Sequence, residues 1–436
     1  MLTEILIFCL SSPSSPLLDC EQEETKPKCR VVDVFCPGML RTPVFRIPSV
    51  LPLPAGSGGH GIVLAFAEGR PGLHDAGRID LVMRRSTDGG VTWAAPRAIV
   101  RGHMLSEHGG QATVGNPTAI FDATTGRVLL LLCSNHPDDA EWMIHAREGV
   151  DSRRVWLTSS DDFGETWARP KEITGSVKRK HWTWYAVGPG VGVQLTSGRL
   201  IAPANHAEAE ALELLAQDVF EPERPYLPTI NRSRMVAHCI YSDDHGETWC
   251  IGGLAARHTN ETQLAQLGNG DVILNSRDWS GVFKRVVQLS KDFGSSWRSP
   301  RYDDELIEPR PQGCQGSLLA LPVVPSQEQV LTQPHEGEQA SARKRRWPLR
   351  SASTSAHEAG IDLGTLLFCN PSSDKRERLT VRKSEDGGKT WSSSYLLEEG
   401  PSAYSCMGKL DADTVCVLYE RADRISYAIL PLSLLK

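Results

Sequence analysis

The sequence predicts an all-β protein built from a repeated unit, as in a β-propeller. An eight-residue pattern, Ser-x-Asp-x-Gly-x-Thr-Trp, occurs five times in the 436 residues, which is too often for chance. Short apolar runs bounded by turn residues fill the chain between these copies. One propeller blade needs four short strands and their turns, about 40 to 50 residues. The five copies are Ser86–Trp93, Ser160–Trp167, Ser242–Trp249, Ser290–Trp297 and Ser384–Trp391.

We call this pattern the acidic box, and its residue types fit a tight loop that leads into a strand. The Asp can accept hydrogen bonds from nearby backbone N–H groups, and the Gly supplies a backbone angle that other residues resist. The Trp ring can fill a gap between neighbouring units. In the fourth copy Ser296 replaces the Thr. A structural role is favoured over a calcium loop, because the boxes lack the ligand spacing of an EF-hand.

Composition excludes several classes of protein. A formal net charge of −6 gives no reason to expect nucleic-acid binding. No apolar run reaches the roughly 18 residues of a membrane span. The apolar run Ile5–Leu10 follows Glu4 and no Lys or Arg, which makes it a poor secretory signal. The 11 cysteines contain no Cys-x-x-Cys pair, a pattern typical of free thiols in a reducing compartment rather than of a disulfide framework.

The domain organisation follows from where the periodic runs lie. Residues 1–40 show little periodicity and predict a poorly structured leader, followed by one propeller domain over residues 41–436. A polar stretch at about 324–360, with the basic run Arg343–Arg346, predicts a solvated loop inserted within a blade; a nuclear-localisation signal is the alternative. Only Ala207–Val219 has a helical composition. Predicted strands cover Gly61–Phe66, Ile79–Met83, Arg127–Cys133, Val155–Thr158, Leu200–Pro203, Val236–Tyr241, Val272–Asn275, Arg285–Leu289, Leu366–Cys369, Leu379–Val381, Val415–Tyr419 and Ile425–Leu430.

Three arginines lie in or beside predicted apolar strands, where a charged side chain has no evident structural role. Arg46 lies within Val44–Pro48, Arg277 lies within Leu274–Asp278, and Arg376 precedes Leu379. Each alone is more often a surface or paired residue. A guanidinium group binds a carboxylate through two parallel hydrogen bonds and stays charged at any working pH.

With the five acidic boxes, these segments resemble the exo-α-sialidase (neuraminidase) family over about residues 44–432. The Phe-Arg-Ile-Pro motif, Phe45–Pro48, followed by repeated boxes is a specific signature, whereas single boxes also occur in receptors and other glycosidases. The resemblance implies a six-bladed β-propeller that removes terminal sialic acid. Further segments resemble the animal-type branch of the family: Phe66–Arg70, His181–Trp182, Ala186–Gly190 and Gly313–Ser317.

The resemblance also implies roles for six residues. Arg46, Arg277 and Arg376 match a triad that holds the carboxylate of sialic acid. Asp75 matches the acid/base carboxylate, although a turn residue before Ala76-Gly77 is the alternative. Tyr404 matches the nucleophile, and Glu261 matches the carboxylate that activates it.

A tyrosine nucleophile has a physical rationale. A carboxylate would approach an anomeric centre that already bears a negative group, and a neutral phenol reduces that repulsion. Because the ordinary pKa of tyrosine is near 10, a general base is required. The implied course is retention in two steps, and sialidases with a Tyr nucleophile are known exceptions to the two-carboxylate rule.

Weaker matches extend the site to residues that contact the substrate. Arg70 and Glu68 either join the site or pair with one another, and Asn116 matches a segment near the N-acyl pocket. Tyr185 is a further candidate. Relatives usually carry tyrosines that meet the glycerol tail of the sugar after the strand that here ends in Ala204. This chain has Asn205 and His206 instead, and His206 is a candidate substrate contact, with a structural histidine as the alternative.

The resulting expectation is an exo-α-sialidase acting on sialylated oligosaccharides, glycoproteins and gangliosides, without a metal or organic cofactor. A trans-sialidase and a non-catalytic sialic-acid-binding lectin are the alternatives. The expected location is the cytoplasm or a membrane surface, with the lysosome as the alternative and secretion less favoured. The sequon at Asn260 overlaps Glu261, so we expect Asn260 to carry no glycan.

Overall fold

The computed structural model describes residues 28–54, 61–105, 110–208, 234–321 and 362–436. In these ranges 25 strands accompany two short α-helices, Glu141–Ala146 (α1) and Thr174–Val177 (α2). None of the described helices is long and apolar enough to cross a membrane. The all-β prediction is therefore confirmed.

The strands form five sheets, in which neighbouring strands are mainly consecutive in the chain and antiparallel. Strand β1 is Arg30–Phe35. The first four-stranded sheet contains β2 (Val44–Pro52), β3 (Val63–Arg70), β4 (Asp80–Ser86) and β5 (Arg97–Val100). The next elements along the chain are β6 (Thr113–Asp122), β7 (Arg127–Asn135), β8 (Arg154–Ser160), β9 (Lys171–Glu172), β10 (Trp182–Val187), β11 (Gly190–Val191), β12 (Val193–Gln194), β13 (Leu200–Glu208), β14 (Met235–Ser242) and β15 (Cys250–Arg257).

Two sheets are built from these elements. One has the order β11-β6-β7-β8-β9, and the other has the order β10-β13-β14-β15, with β12 also paired to β13. A further four-stranded sheet follows, made of β16 (Thr259–Gln266), β17 (Val272–Asp278), β18 (Lys284–Ser290) and β19 (Arg301–Ile307).

The last sheet has seven strands and joins the two ends of the chain. Its chain-order members are β20 (Ser317–Leu321), β21 (Thr365–Pro371), β22 (Glu377–Ser384), β23 (Ser393–Lys409), β24 (Thr414–Arg421) and β25 (Arg424–Pro431), with β1 beside β25. The 17 residues of β23 pair with β22 in their first part and with β24 in their second part. The arrangement is that of a propeller of antiparallel sheets, and the count of six blades stays a prediction.

The twelve predicted strands all lie within or across observed strands, but the predicted leader is wrong in part. Arg30–Phe35 pairs with β25, and Val34 and Phe35 are fully buried, so this part of the predicted leader belongs to the fold. Residues 1–27 and the insert predicted at about 324–360 lie outside the described residues. The helix predicted over Ala207–Val219 does not begin as expected, because Ala207 and Glu208 end β13, and its remainder lies outside the described residues.

The acidic boxes form the same hydrogen-bonded loop in all five copies. In the third copy, the Gly246 N–H donates to Ser242 Oγ at 2.8 Å, and Thr248 Oγ1 donates to Asp244 Oδ2 at 2.6 Å. Hydrogen bonds from Thr92 are the main reason that the pKa of Asp88 falls to about 2. Since these Asp oxygens are used within their own loops, the structural interpretation of the boxes holds.

The boxes also connect one sheet to the next. Gly90 has φ +90°, and a Cβ there would lie 2.1 Å from the ring of Tyr427, so only glycine fits. The box tryptophan Trp93 packs edge-on against the same Tyr427 ring, at 5.1 Å between centroids. The first sheet, which carries this box, is thereby packed against β25 of the last sheet. All nine cysteines in the described ranges are free thiols.

Candidate active site

One polar cleft of about 200 Å³ gathers most of the residues predicted from the sequence. Five strands that contribute residues to the cleft have irregular pairing. The register of β2 shifts between Arg46 and Ser49, where Ile47 has φ +61°. Such a bulge re-aims side chains that a regular strand would direct elsewhere. Corresponding shifts occur in β6 at Gly115/Thr118, in β10 at Trp182/Tyr185, in β16 at Thr259/Thr262 and in β23 at Ser402/Ser405.

Tyr404 and Glu261 are in direct contact within the cleft. The Tyr404 hydroxyl donates to Glu261 Oε1 at 2.6 Å, and Arg277 Nη1 donates to Glu261 Oε2 at 2.6 Å. Arg277 Nη1 also lies 3.3 Å from the Tyr404 hydroxyl. Burial, followed by the charge of Glu261, raises the pKa of Tyr404 well above its usual range. The phenol is therefore neutral at working pH, with a carboxylate placed to accept its proton.

Three guanidinium groups converge around Tyr404. The Cζ atoms of Arg46 and Arg376 lie 5.3 Å and 5.7 Å from the centroid of its ring, and Arg277 contacts its hydroxyl. Arg46 is held by Glu420, with Nε 3.1 Å from Oε1, and the same carboxylate accepts the Ile47 N–H at 2.9 Å. The predicted triad is thus brought together by the fold.

Arg376 differs from the other two arginines in its partners. Its Nη2 donates to the Gly313 carbonyl at 3.2 Å, and within the described ranges no carboxylate lies within 4.0 Å of it. Arg46 and Arg277 are instead paired with Glu420 and Glu261. The cleft therefore contains a cation whose charge is free for an anionic ligand.

Asp75 lies in the loop between β3 and β4 and reaches the cleft from its edge. Its side chain is 61% exposed, 2.7 Å from Arg70 Nη1 and 3.6 Å from Arg46 Nη1. Partial burial opposes ionisation, but the positive charges of Arg70 and Arg46 outweigh it and hold the pKa of Asp75 below its ordinary value. Asp75 is a carboxylate in the unliganded cleft.

Glu68, Arg70 and Asn116 form a buried network behind Asp75. Glu68 Oε2 accepts from Arg70 Nε at 2.8 Å, and Glu68 Oε1 accepts the Asn116 N–H at 2.7 Å. Asn116 has φ +57°, and its side-chain oxygen accepts from Arg153 Nη2. The pairing of Glu68 with Arg70, one of the two predicted alternatives, is present, and both residues also line the cleft.

The structure places Tyr185 and His206 in the core, which corrects the expectation that they contact the substrate. Both are fully buried, and neither lines the cleft. The Tyr185 hydroxyl lies 3.2 Å from His238 Nε2, and His206 Nδ1 lies 3.1 Å from His238 Nδ1. Burial lowers the pKa of His206 well below its usual range, and burial also lowers the pKa of His238, to about 3. Because successive residues of a strand point to opposite faces, the residues beside them reach the cleft instead.

Several cleft residues were not predicted from the sequence. Trp184, Asn205, Asn260, Trp279, Gln312, Glu141 and Arg153 line it, and Glu420 supports Arg46. Glu420 could have been suspected, because a carboxylate that ends the apolar run Val415–Tyr419 repeats the anomaly that drew attention to Arg46. Arg153 gave no such signal, since it precedes its strand.

Asn260, the residue of the sequon, is 6% exposed and forms part of the cleft lining. Its side-chain oxygen accepts the Glu261 N–H at 2.6 Å. In the described parts of the chain no group of three His, Cys, Asp or Glu residues is placed to hold a metal ion. The site therefore consists of arginines, carboxylates, amides and aromatic side chains.

Comparison with known proteins gives the family. The BNR repeat-like domain family matches residues 61–413. Mouse Sialidase-3 is 30% identical over 403 residues, covering 88% of each chain, and a Bacteroides fragilis sialidase is 29% identical over 354 residues, covering 78% of this chain. The chain spans 54% of that bacterial relative. The solved structure of the Hadza microbial sialidase Hz136 superposes with a TM-score of 0.72 at 27% identity, over 93% of this chain and 69% of its own.

The chain thus belongs to the exo-sialidase family of BNR-repeat β-propellers. Its relatives include bacterial and animal proteins, and the similarity to Sialidase-3 fits the animal-type segments noted in the sequence.

Proposed function

We propose that this chain is an exo-α-sialidase that hydrolyses terminal α-linked sialic acid from oligosaccharides, glycoproteins and gangliosides. One observation carries the proposal: the Tyr404 hydroxyl donates to Glu261 at 2.6 Å beside three converging arginines. A nucleophile with its base, next to a carboxylate clamp, suits a sugar whose anomeric carbon bears a carboxylate. In this proposal the seven-stranded sheet counts as two blades that share β23, which gives six blades.

Substrate binding would begin at the arginines. Arg376, which lacks a carboxylate partner in the described residues, supplies the unpaired charge, while Arg46 and Arg277 are already oriented by Glu420 and Glu261. A substrate carboxylate at Arg46 would offset positive charge close to Asp75. The pKa of Asp75 would then rise toward the range in which it can hold a proton for transfer.

In the first step Tyr404 Oη bonds to the anomeric carbon and its proton passes to Glu261. The glycosidic bond breaks, and the leaving oxygen takes a proton from Asp75. In the second step water attacks the same carbon and gives a proton to Asp75, while the bond to Tyr404 breaks and the phenolate recovers its proton from Glu261. Two displacements at one carbon give net retention of configuration.

The test is release of methylumbelliferone from its α-sialoside by the purified full chain, beside Tyr404→Phe. We expect the wild type to turn over and the variant, which keeps the ring but has no nucleophile, to fall by at least about 10³-fold. Full activity in the variant would refute Tyr404 as the nucleophile. A folded wild type that binds sialic acid without turnover would favour the lectin.

Excess lactose in the same assay separates the two catalytic alternatives. A hydrolase gives free sialic acid as its main product, whereas a trans-sialidase gives sialyllactose. Quantifying both products by chromatography therefore decides between them.

We further propose a reducing compartment, the cytoplasm or a membrane surface facing it, as the site of action. The support is the set of nine free cysteines in the described ranges, most of them buried. Labelling of the native and unfolded protein with a thiol reagent tests this: disulfides found in protein from its host cell would contradict it.

A further inference from the structure

The side chain of Asn205 is buried in the cleft without a hydrogen-bond partner. It lies on β13, has no exposed surface and forms part of the cleft lining. Neither its Nδ2 nor its Oδ1 has a hydrogen-bond partner in the described parts of the chain. An amide in this state has lost its water without replacement, which a protein tolerates where a ligand supplies the missing bonds.

The strands beside Asn205 explain why it is unsatisfied. Its neighbours in register are Ala186 on β10 and Ala237 on β14, and neither side chain has a polar atom. Alanine is also short, so the flanking strands do not fill the space above the amide. The next residue, His206, is directed to the opposite side, where it stacks on Trp182. The sheet therefore leaves a donor and an acceptor facing the cleft.

The charge distribution indicates which part of a ligand would meet this amide. Arg46 and Arg277 come from the first sheet and from the sheet of β16–β19, and Arg376 precedes β22, whereas Asn205 belongs to the sheet of β10. A carboxylate held by the arginines would leave an uncharged part of the sugar for the amide. A neutral amide with both functions free complements a group that offers an acceptor and a donor side by side.

The following inference rests on the proposed function. We propose that Asn205 is a specificity-determining residue that forms hydrogen bonds with an uncharged donor and acceptor of sialic acid. Two parts of that sugar have this chemistry: the vicinal hydroxyls of its three-carbon tail and the N–H and C=O of its N-acyl group. A site built to hydrogen-bond such a group rejects analogues that lack it, because its buried polar atoms are then left unpaired.

The experiment measures kcat/KM for three α-sialosides with one common aryl leaving group. The first has the complete sugar, the second a tail shortened by two hydroxyl-bearing carbons, and the third a hydroxyl in place of the N-acyl group. The wild type is compared with Asn205→Leu, which has a similar volume but no polar atom, and with Asn205→Ala. The matched control is Asn370→Ala, a buried Asn outside the cleft lining whose amide donates to the Ile307 carbonyl at 2.8 Å.

We expect Asn205→Leu to lose about 10- to 100-fold on the complete substrate and less than about twofold on one of the two analogues. The analogue that is insensitive to the substitution identifies the group that Asn205 contacts. The melting temperature of Asn205→Leu should not fall, since no protein hydrogen bond is lost, whereas Asn370→Ala should melt earlier and keep the wild-type ratio between substrates.

An equal loss on all three substrates, or a drop in melting temperature as large as that of Asn370→Ala, would overturn the proposal and make Asn205 a structural residue. No turnover of any substrate by folded wild type would instead refute the proposed function, and with it the inference. Turnover with unchanged ratios in both Asn205 variants would refute the inference alone.

Discussion

The Tyr404 hydroxyl and Glu261 Oε1 are 2.6 Å apart, although 143 residues separate them in the chain. Burial raises the pKa of the phenol, and in the proposed mechanism the Glu261 carboxylate takes its proton. Glu261→Gln keeps an oxygen for the hydrogen bond but removes the base. We expect kcat to fall by about 10² to 10⁴ with little change in KM, measured by steady-state kinetics on the aryl sialoside. Wild-type kcat in this variant would exclude Glu261 as the base.

The proposed role of Asp75 as proton donor predicts a dependence on the leaving group. An aryl oxygen leaves readily without a proton, whereas the alkoxide of a sugar does not. Asp75→Asn should therefore lose about 10²-fold or more in kcat/KM on sialyllactose and clearly less on the aryl sialoside. Measuring both substrates with both enzymes gives the result as a ratio. Equal losses would show that Asp75 only positions Arg70 or Arg46, its two contacts.

Substitutions of Arg376 and Arg46 should both lower activity but should differ in their effect on stability. Arg376→Ala removes a charge-assisted pair with the ligand, and we expect kcat/KM to fall by about 10² to 10³ with little change in melting temperature. Arg46→Ala should lower activity similarly but also destabilise the fold, because Glu420 would lose its partner inside the protein. Kinetics and thermal unfolding of both variants check this. A strong loss of stability in Arg376→Ala would contradict a cation held ready for ligand.

The buried histidine pair predicts acid lability. Burial lowers the pKa of His238 from 6.5 to about 3. Between these values the unfolded chain takes up a proton at His238 that the folded chain does not, so the free energy of unfolding decreases as the pH falls. One such group contributes about 2 kcal/mol between pH 7 and pH 5.

Urea unfolding at both pH values measures this effect. His238→Gln, which does not titrate, should reduce the pH dependence by about that amount. His103→Gln, at an exposed position, is the control and should leave the dependence as it is. If the pH dependence of the free energy of unfolding is the same in His238→Gln as in the wild type, the His238 imidazole is not held neutral in the folded protein.

Strand β1 should contribute strongly to stability, contrary to the leader predicted from the sequence. Phe35 is fully buried, and its ring stacks on Phe45 at 5.4 Å, next to Arg46. Phe35→Ala should cost about 3–5 kcal/mol by leaving a cavity. Val31→Ala on the same strand, where the side chain is 39% exposed, should change stability by no more than about 0.5 kcal/mol. Chemical denaturation of both variants measures the change in the free energy of unfolding. Similar small effects would mean that β1 docks only loosely.

The acidic boxes and the arginines could be predicted because each depends on few residues. A box closes hydrogen bonds within eight residues, so its sequence is enough to define it. Arg46 stood out because a charged residue inside an apolar strand needs a reason. Six of the predicted site residues have roles that the resemblance supplied, and their functions remain predictions.

The part of the site that could not be predicted depends on strand register, which the sequence does not reveal. The irregular pairing between Trp182 and Tyr185 changes which side chains of β10 face the cleft, so Trp184 and Ala186 line it and Tyr185 does not. Its cross-strand partner, His206, is also buried in the core and does not line the cleft. A shift of one residue moves a side chain to the other face, and bulges are set by contacts distant in the chain. Glu420 carried a signal in the sequence, but its pairing with Arg46 did not, because 374 residues separate the two.

That separation has a consequence for the synthesis of the protein. At translation rates of about 5–20 residues per second, Arg46 is added to the chain roughly 20 to 75 s before Glu420. During this interval the arginine has no carboxylate partner, and β25, which β1 needs, does not yet exist. A nascent chain therefore lacks the Arg46–Glu420 pair, on which the proposed carboxylate clamp depends, until its final strands emerge. We expect a product truncated before these strands to be inactive, however well its first sheets have folded.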